Sequence, residues 1–149
     1  MDPDNPIVKL CAAGMQAEFA GQLEEARALF TQAWQEHRDD FEACIAAHYL
    51  ARHQDDHQKM LHWNTLALRH ADAVKDGRVH GFYPSLYLNM GYSYEMLGDR
   101  EDAARYYELA AARLDTLPED SYGEVVREAV QRGQERISGQ AGSPGGSDE

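Results

Sequence analysis

One set of spacings recurs three times along this chain and limits its fold more tightly than any other feature. Tyr87, Met90, Gly91, Tyr94, Ala103, Tyr107 and Ala110 are separated by 3, 1, 3, 9, 4 and 3 residues. The first four share one face of a helix, the last three share a face of the next, and Leu97-Gly98-Asp99 forms the turn between them. Leu10, Ala13, Gly14, Ala17, Ala26, Phe30 and Ala33 repeat the same spacings. Cys44, Ala47, His48, Ala51, Met60, Asn64 and Ala67 repeat them again, 34 positions after the first set. A single pair of short helices cannot bury enough apolar surface to offset its chain entropy, so such pairs must stack on their neighbours.

The punctuation agrees with this reading. Gly21 and Gly98 stand at helix exits, and Glu24-Glu25 places acid in the first turn that follows. Asp39 or Asp40 is expected to cap the third helix, Asp55-Asp56 to form the turn and cap of the fourth, and Asp99 to cap the sixth. Small residues at Gly14, Gly91, Ala26 and Ala103 let backbones approach, while Phe30, Tyr107 and Leu109 fill the space towards neighbouring helices. His48 occupies the site that is glycine in the other two copies, and is expected either to splay its pair or to project past the neighbour. Gly14 and His48 are 34 positions apart but His48 and Gly91 are 43 apart, so residues 75–83 are an insertion. The fifth helix then starts either at Pro84, which suits a first turn, or near Val79 with a kink at Pro84; Gly77 and Gly81 favour the first.

Beyond the third copy, Pro118 is expected to end the sixth helix and Ser121-Tyr122-Gly123-Glu124 to act as a capping box. Tyr122, Val125, Val126, Ala129, Val130 and Ile137 form an apolar stripe opposite Arg127, Glu128, Gln131 and Glu135. That amphipathic helix, about 121–137, would cover the last face of the stack. The expected organisation is a disordered lead over 1–6, one domain over 7–137 with repeats at about 7–40, 41–74 and 84–117, and a Gly/Ser/Pro-rich disordered tail over 138–149.

The aromatic, Leu-Gly, Tyr, Ala and aromatic order of residues 87–110 resembles the tetratricopeptide repeat (TPR), and by phase the resemblance extends over 7–117. It implies an all-α, right-handed solenoid of three TPR helix pairs plus a capping helix. In that family the first helix of each pair lines a concave groove. Carried over by phase, the groove would display Cys11, Met15, Glu18 and Phe19, then Ile45, Tyr49, Arg52 and His53, then Leu88, Tyr92, Glu95 and Met96. Asn89 falls where many TPR domains use an asparagine to bind a ligand's main chain, an amide being both donor and acceptor. The carboxylate-clamp positions of chaperone-binding TPR domains are mostly apolar here, with Arg52 the one permanent cation, so a clamp is not expected. Aromatic and Met side chains at helical spacing serve either a core or a binding face, and the phase points these at the groove. The resemblance implies a module that binds a peptide or helix through apolar anchors, with Glu18 and Glu95 favouring a basic rim on the ligand.

Charge and chemistry narrow the alternatives. With 26 acidic against 14 basic side chains, the chain carries a net charge of -12, which repels a phosphate backbone or an anionic membrane surface. Neither nucleic acid nor membrane is therefore an expected partner. No apolar run reaches a membrane span and the first residues lack a signal-peptide pattern, so a cytoplasmic protein is expected. Cys11 and Cys44 sit in apolar stripes without metal or disulfide spacing. His53, His57 and His62 are metal-binding types, but the chain turns between the first two, and a solvated turn is the expectation. Acid pairs at helix starts come without a nucleophile, phosphate loop or metal quartet. No catalytic residue, metal or cofactor is assigned, and the chain is not expected to be an enzyme. The alternatives to an adaptor are a chaperone-like holder of an export substrate and a self-associating scaffold such as a homodimer.

Overall fold

Helix ends in this protein are set by local signals that can be followed one at a time. A computed structural model describes residues 2–142, with side chains through residue 139. Among the described residues it contains seven α-helices and no strand. They are α1 (Pro6–Phe19), α2 (Leu23–Glu36), α3 (Asp40–Ala51), α4 (His57–Ala73), α5 (Tyr83–Met96), α6 (Arg100–Ala111) and α7 (Ser121–Gly142). Contacts divide the chain into two compact units, one ending at Val79 and the other beginning at His80. The boundary falls within the extra residues 75–83. Among the described residues no helix is long and apolar enough to cross a membrane.

In the first unit α1 packs on α2 and α3 on α4, and α3 also packs on both members of the first pair. Asn5 accepts from the Ile7 and Val8 amides (2.8 and 3.0 Å), Asp39 from Glu42 (2.8 Å) and Asp56 from Lys59 (2.7 Å). The lead is therefore shorter than 1–6: Asn5 is the cap of α1 and Pro6 its first residue. Gly21 leaves α1 at φ 79°, a conformation that costs a side chain 1–2 kcal/mol in rough terms. A Cβ at Gly14 would lie 2.4 Å from the Phe30 ring, which is fully buried. Only glycine fits there. In the middle pair Ala47, Ala51 and Ala67 are buried, and α3 meets α4 as extensively as the other pairs meet, so His48 does not splay it. Instead the register exchanges roles, with the ring of His48 on the first helix and the smaller Asn64 where Phe30 and Tyr107 stand in the others.

The second unit is built the same way and then closed. A 3-10 turn, His80–Phe82, leads into α5, which has Pro84 in its first turn and does not extend back to Val79. Gly98, at φ 84°, turns the chain into α6, capped by Asp99 on the Asp102 amide (3.1 Å). Tyr107 of α6 lies between two glycines: a Cβ at Gly91 or Gly133 would come within 2.8 or 2.6 Å of its ring. Helix α7 packs on both α5 and α6, as α3 does on α1 and α2. Val126 and Val130 join Ala110 and Leu117 in one cluster, and Ile137 joins Ala103 and Tyr107 in another.

Several boundaries differ from those the sequence implied. Helix α6 stops at Ala111 and a 3-10 turn, Leu114–Thr116, intervenes before Pro118, so proline does not set its end. Asp120, rather than Ser121, accepts from the Gly123 amide at the start of α7 (2.9 Å). Helix α7 continues past Ile137 through residues 138–142, which had been assigned to the tail; residues 143–149 lie outside the described residues. Leu109 is exposed on α6 and fills no interhelical space.

Candidate functional site

Phase alone places the candidate residues on or just after the first helices of the pairs, but packing treats them differently. Met15 and Phe19 on α1 and Tyr92 and Met96 on α5 are exposed, Phe19 to 97%. Each couple is spaced i, i+4, so its side chains lie one above the other along the helix. The two couples are 77 positions apart, the offset that relates Gly14 to Gly91. Both therefore occupy the last turn of a first helix, immediately before a glycine turn.

The corresponding position in the middle pair is held down. Tyr49 is half-buried, its ring stacked on Phe30 at 5.0 Å and 10°, with the Arg52 guanidinium 4.9 Å from its centre. Arg52 and His53 both reach Glu18, His53 Nε2 at 2.6 Å from a carboxylate oxygen. Glu18, Arg52, His53, Tyr49 and Phe30 thus form one aromatic and ionic cluster between α1, α2 and α3. Arg52 stays about half exposed, and an ion pair of that kind contributes little, roughly 0–1 kcal/mol.

Four of the candidates are buried or half-buried. Ile45 is buried, and Leu88 is half-buried against both clusters that fix α7. Asn89 is half-buried. Glu95 is the clearest correction, because only 4% of its side chain is exposed. Arg136 grips it with both arms, Nε to Oε2 at 2.8 Å and Nη2 to Oε1 at 3.0 Å, and Tyr107 donates its hydroxyl to Oε1 at 2.7 Å. The guanidinium first, and then the hydroxyl, hold the carboxyl below its ordinary range, while burial and the carboxylate raise the Tyr107 phenol. Glu95 therefore fastens α7 to α5 and α6, and a ligand has no access to it. Cys11, assigned to the same surface, is also buried. Desolvation pushes both cysteine thiols up to about 12, so neither is a thiolate near neutral pH.

One buried group gave only a faint signal in sequence. Glu42 on α3 has a side chain that is 1% exposed, yet it accepts from Asn5 Nδ2 (2.8 Å), the Arg38 amide (2.8 Å) and the Arg38 guanidinium (2.6 and 3.2 Å). The Arg38 contacts outweigh the burial and bring its carboxyl down to about 2. Its signal is the Asp39-x-x-Glu42 spacing of a capping box, which foretells a helix start but not the long-range bond to Asn5. His48, by contrast, is pushed down to about 4, first by desolvation and then by Arg52, and is neutral at physiological pH.

Other histidines are already engaged. His70 Nδ1 lies 2.8 Å from Asp40, beside Trp34, whose indole meets Trp63 edge-on at 5.1 Å. Among the described residues no group of three or more His, Cys, Asp or Glu side chains is arranged to hold a metal ion, the His53, His57 and His62 set included. No protein-family model, no curated protein and no solved structure matches this chain.

Proposed function

We propose that the helix pairs are tetratricopeptide units of a solenoid type, and that the chain is a non-catalytic cytoplasmic module that binds a peptide or helix of a protein partner. The observation that supports this best is the exposure of Met15 with Phe19 and of Tyr92 with Met96 at one register position in two hairpins. A ring as exposed as that of Phe19 adds almost no buried area to the folded chain, whereas a partner that buries it gains about 2 kcal/mol or more. The flexible thioethers beside these rings adapt to different apolar shapes. The surrounding polar groups are already committed: Glu18 to Arg52 and His53, and Glu95 to Arg136 and Tyr107. That leaves exposed apolar anchors beside polar groups that are already paired, which favours binding over catalysis.

The test is photo-crosslinking. A benzoylphenylalanine at position 19, 96 or 109 is introduced into the full chain and irradiated in the native cytosol. The reading expects one defined protein species from positions 19 and 96 and none from 109, since Leu109 is exposed on a second helix outside the repeated position. Equal labelling from all three positions would remove the basis for the assignment.

A further inference from the structure

The sign of charge around the two exposed couples specifies the partner further than their apolarity does. Phe19 ends α1, and Glu24 and Glu25 stand in the first turn of α2 just across Gly21; Met96 ends α5, and Asp99 and Glu101 stand just across Gly98. Three arginines are already paired with other acids. Arg52 is bound by Glu18, Arg136 by Glu95 and Arg105 by Asp102 (2.9 Å). What remains in each turn is one arginine, Arg27 or Arg100, against two carboxylates. The net charge of -12 adds a field of the same sign.

Resting on the proposal that the exposed couples are partner sites, we infer that they take a cationic amphipathic segment of another protein. Its apolar side chains cover Met15 and Phe19 or Tyr92 and Met96, and its lysines or arginines face the acidic first turns of α2 and α6. Each site is a short i, i+4 couple followed across its glycine turn by acid, so the segment that matches it carries apolar and basic side chains on adjoining faces, as an amphipathic helix does. The acids that set this preference are not the ones that sequence phase singled out: Glu18 and Glu95 are paired with Arg52 and Arg136, and the second-helix acids take that place.

The experiment uses the full chain and two fluorescein-labelled helical peptides about five turns long, one of leucine and lysine and the other with glutamate for every lysine. The lysine peptide is expected to bind, to weaken about tenfold as salt rises to several hundred millimolar, and to lose about tenfold in affinity in Phe19→Ser or Met96→Ser. Glu24→Gln with Glu25→Gln should lower its affinity severalfold, and Val125→Ser, an exposed apolar change on α7, should leave it unchanged. Circular dichroism confirms that each variant keeps its helices. Equal binding of the two peptides, both sensitive to Phe19→Ser, would overturn the charge assignment and leave the exposed couples as partner sites. Binding that ignores both serine substitutions would overturn the two readings together. Sedimentation velocity supplies the remaining outcome: a mass that doubles with concentration in the parent chain but not in Phe19→Ser assigns these faces to a second copy and overturns the cationic partner.

Discussion

Glu18 and Glu95 hold the same place in their hairpins, four residues beyond a glycine packed on an aromatic ring, and each meets an arginine from the helix after next. In the first unit the pair lies near the surface, Glu18 with 21% of its side chain exposed, and His53 shares the carboxylate. In the second the carboxylate is shut away, and the ring beneath it carries a hydroxyl that Phe30 lacks. One register position therefore does two jobs. Where a further pair follows, as α3 and α4 follow α1 and α2, the ion pair decorates a junction that packing already holds. Where a lone helix follows, the ion pair becomes a buried fastening.

Breaking the fastening should give the largest effect. Arg136→Ala leaves Glu95 buried beside Tyr107 without its cation and is expected to cost roughly 3 kcal/mol in urea unfolding, whereas Arg136→Met with Glu95→Leu recovers most of that. Next is Glu42, whose loss should cost roughly 2 kcal/mol as Glu42→Gln, since the Arg38 and Asn5 bonds then reach a neutral amide. Its pH dependence sharpens the contrast. A carboxyl at about 2 when folded and 4.5 when free binds fewer protons folded, so its stabilisation is complete above about pH 5 and is lost as pH falls towards 2. His48 acts in the same direction over a higher window: held at about 4 against 6.5, it must be protonated against its burial, so stability declines as pH drops from about 6.5 to 4. Glu42→Gln should flatten the lower window in a pH series and leave the upper one intact.

Gly91→Ala follows, at about 1–2 kcal/mol by thermal melting, because a methyl meets the Tyr107 ring that Gly133 also presses. The smallest effect belongs to the exposed counterpart of the fastening. Arg52→Ala should change stability by less than about 1 kcal/mol, and an effect as large as that of Arg136→Ala would erase the distinction between the two units.

What could be read from sequence follows the same division between local and long-range physics. Turns at Gly21 and Gly98 and caps at Asp39, Asp56 and Asp99 each need only a few neighbouring residues, and the chain declares them. The fate of Glu95 does not lie in its own hairpin. It depends on Arg136, 41 positions later on a helix whose register the repeat does not set, so a residue that phase would put at a groove rim is buried. Glu42 escaped for the same reason, its partner Asn5 being 37 positions away. Ile45 and Leu88 show a further limit: phase assigns a helix face, but which helix comes to cover that face is decided by packing. Met15, Phe19, Tyr92 and Met96 differ from these in staying exposed, each to at least 40%.

The central claim is that one hairpin is used three times in a common register, including the middle pair, where His48 and Asn64 replace a glycine and a ring. A double-mutant cycle between these positions tests it directly. His48→Gly alone removes a ring from a filled space and Asn64→Phe alone adds one, each costing about 1–3 kcal/mol, while the double variant restores the arrangement of Gly14 with Phe30. The account predicts a favourable coupling of more than about 1 kcal/mol; effects that add within roughly 0.5 kcal/mol would mean that the two positions do not face each other and that the middle pair is not a copy of its neighbours.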